Sequence, residues 1–276
     1  MTHFGFDAPI ATERLRTIAP PLLEAGFDWI EVEDLADHSP AYWRTLDEIV
    51  TRYRPRLSVH CEYRHVAPAA QDPELCDAAL VVIRRGIDLA ARLGASVAVM
   101  HGGRCDVDGL PPESHPLRPV VIELLSASRE QHHRRLRRLL PALADYAAAR
   151  SVHLTIENLF KPWELLRSPD EMAALLDGLE ERVGACLDVG HAHVAGFAPQ
   201  AFVQTLGSHI WHVHIHGNDG QFDSHRPLAL SDSALARSLS TIAAANPQAC
   251  LLFELNLSAC SLPEIMADRE LVEHLL

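Results

Sequence analysis

Apolar residues fall into two kinds of segment that alternate along the chain. Short runs of apolar and β-branched residues are mostly followed by longer stretches with apolar residues at helical spacing. We identify eight short runs, at residues 3–6, 29–32, 57–61, 97–100, 153–157, 183–188, 210–216 and 250–255. This alternation predicts parallel strands joined by crossover helices.

Terminal residues support the prediction of the helices. Gly26 and Gly94 follow two of them, and Ser168 precedes a Pro-Asp-Glu sequence typical of a first helical turn. The predicted helices cover residues 12–24, 40–53, 73–93, about 128–150, a stretch from 168, 199–206, 231–245 and 262–276. Residues 102–119 are rich in Gly, Pro and Asp and predict a long loop.

Eight strand–helix units predict a sheet that closes on itself. The length of 276 residues is typical of one α/β barrel, and the chain contains no internal repeat or linker. We therefore expect an α/β fold consisting of a single (β/α)8 TIM barrel, in one domain that spans residues 1–276.

Composition favours a cytoplasmic location. Residues 1–7 lack the basic start and apolar stretch of a secretory signal, and no apolar run approaches the roughly 18 residues of a membrane span. The six cysteines include no C-x-x-C pair and are too sparse for a disulfide scaffold, which fits a reducing compartment. We expect no membrane partner.

Net charge bears on the class of partner. The chain carries 37 acidic and 24 basic residues, for a formal charge of -13, and this excess of negative charge repels a polyanion. The charge argues against nucleic acid and leaves a small molecule as the expected substrate. The sequence leaves homo-oligomer formation open.

Histidines and carboxylates stand at the ends of six consecutive predicted strands. They are His60, His101, Glu157, Asp188, His191, His214 and Glu254. The C-terminal strand ends of this fold surround one mouth, where these side chains would converge. Carboxylates buried side by side repel one another and lose hydration, so a divalent metal ion is the simplest stabilising partner. The pattern predicts a metal-dependent enzyme.

The seventh predicted strand carries three alternate histidines. His212, His214 and His216 share one face of the strand because side chains alternate along it. If that face points inward, His214 lies at the height of the metal and His216 lies nearer the substrate.

Seven short motifs, taken in order from about residue 27 to 255, resemble the xylose-isomerase-like barrels. That family comprises sugar phosphate isomerases and epimerases together with endonuclease IV-type enzymes (AP endonuclease family 2). The motifs are Ser58-Val59-His60, Val99-Met100-His101-Gly102-Gly103, Glu157-Asn158-Leu159, Leu187-Asp188-Val189-Gly190-His191, the strand-7 histidines with Asn218-Asp219-Gly220, Asp223-Ser224-His225, and Phe253-Glu254.

The resemblance implies specific ligands. Its isomerases and epimerases share a four-ligand site, which here would be Glu157, Asp188, His214 and Glu254, and the two glutamates would also be the catalytic acid–base pair. Further ligands of the endonuclease-like members are matched by His60, His101, His191, Asp223 and His225. This set implies one to three divalent ions per chain. Its imidazole content favours zinc or manganese, with iron or cobalt as alternatives, over magnesium.

The chain also departs from the family pattern near strand 7. Gly217 stands where an acidic residue is common, and no glycine-rich turn follows His225, so a phosphate group on the substrate is not implied. Arg226 is the nearest replacement cation. Lys161 is either a carbonyl-polarising group or a surface lysine. The candidate substrate-binding residues are His60, His191, His216, Lys161 and Arg226.

Three functions agree with these residues. The leading hypothesis is an isomerase or epimerase of a sugar, polyol or related hydroxy-carbonyl compound, in which Glu157 and Glu254 transfer a proton at carbon. The alternative is a two- or three-metal phosphoester hydrolase that does not act on DNA. The third is a non-catalytic metal- or sugar-binding barrel.

Overall fold

Eight parallel strands form a closed barrel in which the strand order follows the chain. The computed structural model describes residues 2–35, 38–105, 109–179, 181–228, 233–245, 249–257 and 259–276. The strands are β1 (His3–Asp7), β2 (Trp29–Glu33), β3 (Arg56–His60), β4 (Val97–His101), β5 (His153–Glu157), β6 (Val183–Asp188), β7 (Ile210–Ile215) and β8 (Cys250–Phe253). Pairing of β1 with β8 closes the sheet. The predicted single (β/α)8 TIM barrel is confirmed.

Helices connect the strands on the outside of the barrel. They are α1 (Thr12–Glu24), α2 (Pro40–Tyr53), α3 (Pro73–Leu93), α4 (Arg118–Ala148), α5 (Pro169–Leu176), α6 (Val189–Val194), α7 (Pro199–Leu206), α8 (Ser233–Ala245) and α9 (Leu262–Leu275). The side chains of Ser39, Asp72 and Ser168 cap α2, α3 and α5 by accepting backbone N–H groups, and proline follows each cap.

Two helical elements differ from the sequence prediction. The helix expected from about 128 begins at Arg118, which shortens the predicted loop. That prediction was wrong because the first turns of α4 expose Val120, Ile122 and Leu124, so their apolar residues show no one-sided spacing. The six-residue α6 was not predicted, since it is too short for a helical period to be recognised. Residues 231–232 of the expected helix 231–245 lie outside the described residues.

The barrel interior is apolar at the bottom and polar at the top. Trp29, Val97, Val99, Cys186, Cys250 and Leu252 form a buried cluster inside the barrel. Alternation along the strands places Glu31, His101, Asp188 and Glu254 above these residues, toward the C-terminal strand ends. The apolar cluster therefore fills the bottom of the barrel, and the polar side chains lie at its mouth.

Two further expectations concern the whole chain. Among the described residues, no helix has the length and apolar character needed to cross a bilayer. None of the six cysteines, all of which lie among the described residues, forms a disulfide, and five of them are buried.

Candidate metal centre and active site

A cavity of about 1020 Å³ opens at the C-terminal ends of the strands. His60, His101, Glu157, His191 and Glu254 line it, together with residues of the loops that follow β1, β3, β4 and β7. Asp188, His214 and His216 are fully buried beneath these lining residues. The fold thus brings the strand-end residues singled out in the sequence to one mouth.

The four residues of the implied shared site converge around His214. Its Nδ1 lies 3.2 Å from Glu254 Oε2, 3.7 Å from Glu157 Oε1 and 3.9 Å from Asp188 Oδ2. Two ligands of one ion, each about 2.0–2.2 Å from it, are separated by roughly 3–4 Å. The three distances from His214 Nδ1 are therefore of the size found between ligands of one divalent cation.

Unpartnered polar atoms point to the same position. His214 Nδ1, Asp188 Oδ2 and Glu254 Oε2 are buried and have no hydrogen-bond partner in the described structure. Leaving a buried polar atom unpaired costs about 1–3 kcal/mol, and more for a charged group. A cation bound between these atoms would remove that cost.

Glu157 also belongs to a second group of donors. Its Oε2 lies 3.1 Å from both His60 Nε2 and His101 Nε2, while its Oε1 lies 3.0 Å from His191 Nδ1. Burial alone would raise the pKa of the Glu157 carboxyl, but the surrounding imidazoles, His101 foremost, hold that pKa well below its usual range. Glu157 is therefore an ionised carboxylate, able to bridge two positive centres.

A third group of donors lies around Asp223. Its Oδ2 is 3.3 Å from His191 Nε2 and 3.1 Å from His225 Nε2, and its Oδ1 is 3.4 Å from His216 Nε2. One donor atom from each of these four residues lies within 4.8 Å of the others. The expected Asp223, His225 and His191 are thus together, joined by His216.

Backbone carbonyls orient three of the histidines. The Nδ1 of His60 lies 3.0 Å from the carbonyl oxygen of Cys61, and that of His225 lies 2.8 Å from the carbonyl oxygen of Glu254. His191 Nδ1 lies 2.9 Å from the carbonyl oxygen of Asn158. A ring that donates Nδ1–H to a carbonyl keeps Nε2 free as a ligand, which is the usual arrangement of metal-binding histidine.

Glu31 was missed by the sequence analysis. This fully buried carboxylate accepts from Ser58 Oγ at 2.7 Å and from His212 Nε2 at 3.0 Å, and its Oε1 lies 2.9 Å from His214 Nε2. Burial alone would raise the pKa of Glu31, but the charges of His214 and His212 hold that pKa well below its usual range. The sequence offered one signal that could have identified Glu31. It lies on the same face of its strand as Trp29 and Glu33, and the residues directly before and after it are apolar.

Asp7 and Glu33 form an acidic wall that was also missed. They end β1 and β2 and line the cavity. Burial, followed by the charges of Glu33 and Glu254, raises the pKa of Asp7 well above its usual range. Arg64 Nη2 lies 3.5 Å from Glu33 Oε2 at the rim. These groups offer hydrogen-bond partners to a polar ligand.

The remaining expected substrate contacts occupy different places. Lys161 lines the cavity at its exposed rim, with Nζ 3.6 Å from Glu164 Oε1. Arg226 is exposed and is held by backbone hydrogen bonds to Gly217, and His216 is buried with the third donor group. A Cβ at Gly217 would lie 2.5 Å from the carbonyl oxygen of Pro227, which explains why no acidic side chain stands there.

Comparisons with known proteins match most of the chain. An uncharacterized protein of Methanocaldococcus jannaschii is 26% identical over 220 residues, which are 77% of this chain and 69% of that protein. A D-tagatose 3-epimerase-like protein superposes with a TM-score of 0.75 at 21% identity, covering 99% of this chain and 97% of the other.

Two further solved structures share the fold. A protein of Thermus thermophilus, soaked with zinc chloride, has a TM-score of 0.66 at 21% identity and covers 99% of this chain and 98% of its own. The D-allulose 3-epimerase of a Methylomonas species has a TM-score of 0.74 at 16% identity over 100% of this chain and 98% of its own. The family described as xylose isomerase-like TIM barrel matches residues 21–259, and the chain belongs to that family.

Proposed function

We propose that this chain is a divalent-metal-dependent isomerase or epimerase of a sugar, polyol or related hydroxy-carbonyl compound. One observation carries the proposal: Glu157 and Glu254 both line the cavity, and both lie within 3.7 Å of His214 Nδ1. Two carboxylates at one cation position are suited to removing a proton from carbon and returning it. The likeness to sugar 3-epimerases supports the substrate class.

The chain's own residues divide the chemistry among them. When bound, a divalent cation supplies polarisation of a carbonyl and a counter-charge for the oxyanion. Asp188 and His214 would hold it, and Glu157 and Glu254 would ligate it and exchange the proton with substrate carbon. Asp7 and Glu33, which also line the cavity, would exchange hydrogen bonds with substrate hydroxyl groups.

The donor set favours zinc or manganese, with iron or cobalt as alternatives. Imidazole suits these transition metals better than it suits magnesium, and carboxylates also suit manganese. The overlapping donor groups around Glu157 and Asp223 support a range of one to three ions per chain.

Solvent exchange at substrate carbon tests this function. Protein purified without chelator is analysed for metal, loaded with that metal, and incubated with ketoses in deuterium oxide. We expect deuterium at the reacting carbon and an epimeric or isomeric product. Absence of both across ketoses and polyol-derived ketones, with the metal bound, would contradict the proposal.

The variant Glu254→Gln sharpens the test. The amide oxygen still offers a lone pair to a cation but takes up no proton, so we expect turnover to fall by about 10²–10⁴-fold with metal content unchanged. Glu62→Gln is the matched control, because Glu62 hydrogen-bonds Arg64 at the rim and lies outside the donor groups. Equal turnover in the Glu254 and Glu62 variants would remove Glu254 from the acid–base role.

A second candidate is a phosphoester hydrolase, favoured by the three donor groups around one mouth. Metal clusters activate water and stabilise a leaving oxygen. Hydrolysis of a small model phosphodiester by the metal-loaded protein, without deuterium exchange on ketoses, would support this alternative. The negative charge of the chain argues against DNA as its substrate.

The location and partners follow from composition. Six cysteines without a disulfide suit the reducing cytoplasm, and we propose that the chain works there on a small molecule. Nucleic acid is not proposed as a partner.

A further inference from the structure

His216 lies immediately after β7 and is fully buried. Both of its ring nitrogens lack a hydrogen-bond partner in the described structure, and so does Asp223 Oδ1, which lies 3.4 Å from His216 Nε2. Burying an imidazole without hydrogen-bond partners costs free energy. The Nε2 atom of His216 also faces Asp188 Oδ1, at 3.2 Å.

The four donors around Asp223 lie close enough to share one ion, since one donor atom from each residue is within 4.8 Å of the others. Ligands about 2.0–2.1 Å from a tetrahedral zinc ion are separated by roughly 3.3–3.4 Å. Asp223 Oδ2 lies 3.3 Å from His191 Nε2 and 3.1 Å from His225 Nε2, and the other carboxylate oxygen, Oδ1, lies 3.4 Å from His216 Nε2. The group fits one small divalent ion.

The chain makes room for this arrangement at two backbone positions. A Cβ at Gly190 would lie 2.0 Å from His216 Cε1, so only glycine there leaves space for the ring. His225 adopts a φ of 45°, a left-handed conformation that is uncommon for a residue with a side chain. Its ring stacks on His216 with 4.1 Å between the centroids.

We propose that His191, His216, Asp223 and His225 form a closed, structural zinc-type site that leaves no coordination position for substrate. The resemblance supplies only three of these ligands, and a three-ligand site keeps an open position of the kind used in catalysis. With His216 as the fourth protein ligand, the site is saturated. Its ion joins the loop bearing Asp223 and His225 to the start of α6.

The closed site also affects the position of Glu254. His225 Nδ1 hydrogen-bonds the carbonyl oxygen of Glu254, so an ion held by His225 also fixes the backbone of that glutamate. A saturated ion binds no phosphate oxygen, which removes one catalytic centre from the hydrolase alternative.

Cobalt substitution of the full chain tests the closed site without any mutation. Four-coordinate Co(II) absorbs visible light much more strongly than five- or six-coordinate Co(II). We expect strong bands assigned to one tightly held ion, unchanged by inorganic phosphate. Absence of the strong four-coordinate bands, or a shift of those bands on addition of phosphate, would overturn the proposal. Deuterium exchange on ketoses does not enter this readout, so the proposed epimerase function can fail independently of it.

The variant His216→Ala identifies the ligand. We expect zinc to be lost to a competing chelator at about 10–100-fold lower chelator concentration, with one ion per chain retained at the other donor groups. His193→Ala is the matched control, because His193 lies on the same helix as His191 but is exposed. Wild-type zinc content and cobalt spectrum in His216→Ala would show that His216 is not a ligand of the ion. If that variant does not fold, His216→Asn and the wild-type spectrum decide the matter.

Discussion

Glu31 lies beneath His214, on the side away from the cavity. One of its oxygens faces His214 Nε2 at 2.9 Å, and the other accepts from His212 and Ser58. A carboxylate in this position favours the His214 tautomer whose Nδ1 is unprotonated, and Nδ1 is the atom that faces Glu157 and Glu254. Glu31 therefore orients a ligand without lining the cavity.

The variant Glu31→Gln tests this role. An amide offers one oxygen and one N–H group, so one of the two histidines must face a donor. We expect metal affinity to fall by about 10–100-fold, measured by competition with a chelator. Ser58→Ala, which removes only a neutral donor to Glu31, is expected to have a smaller effect. Equal affinities of the wild type and Glu31→Gln would show that Glu31 does not orient His214.

Candidate site residues at the strand ends were easier to recognise in the sequence than those inside the barrel. Glu157, Asp188 and Glu254 were recognisable because strand ends of this fold share one mouth. Glu31 was not, since a buried acid within a strand looks like a solvent-facing residue until the strand's neighbours are known. His216 was expected near the substrate. Alternation along a strand shows which face a side chain is on, but it does not show how deeply that side chain is buried.

Helix α9 contacts the end of the loop that carries Asp223 and His225. The Asp268 carboxylate on α9 accepts the backbone N–H of Leu228 at 2.8 Å and is buried. Burial, with a smaller contribution from the charge of Glu264, raises the pKa of Asp268 to about 7, although the Leu228 hydrogen bond opposes this shift.

A raised pKa makes this contact dependent on pH. The folded state binds the Asp268 proton more tightly than the unfolded state, so this stabilisation is complete below about pH 4 and is lost as pH rises through 7. In Asp268→Asn, the free energy of unfolding should therefore rise relative to wild type between pH 5 and pH 8, measured by urea denaturation. A difference between the two proteins that is constant over this range would be the contrary result.

Element types were predictable from spacing, but one helix start was not. Pro119 is a first-turn residue of α4, yet beside other prolines and glycines it was interpreted as part of a loop. The six-residue α6 begins at a local cap that is formed by a candidate metal ligand. Asp188, a predicted ligand, also caps α6 by accepting the His191 N–H at 2.6 Å.

The barrel as a whole has an apolar bottom, which stabilises the fold, and a polar mouth. The buried cluster around Trp29 and Leu252 fills the bottom, and the ionisable groups converge above it. The order of the strands and the closure of the sheet could be predicted from the eight strand–helix units of the sequence. The pairing of one particular imidazole with one particular carboxylate depends on register and side-chain rotamers, which strand spacing does not determine.

Metal removal should destabilise the whole barrel. Ions that bind only the folded state stabilise it by about 2.7 kcal/mol for each site when their free concentration is 100 times the Kd. For a chain of this size we expect the Tm to fall by about 5 °C or more when a strong chelator is added, measured by calorimetry. A Tm unaffected by chelator and by added metal would contradict metal binding at the mouth.

Anomalous X-ray scattering from crystals of chelator-free protein shows whether Glu157, Asp188, His214 and Glu254 share one metal ion. Data collected on either side of the absorption edge of the metal found locate that metal without assumptions about its ligands. We predict a peak about 2.0–2.6 Å from His214 Nδ1 and from carboxylate oxygens of Glu157, Asp188 and Glu254. A metal bound elsewhere, with these four side chains paired only to one another, would contradict the account.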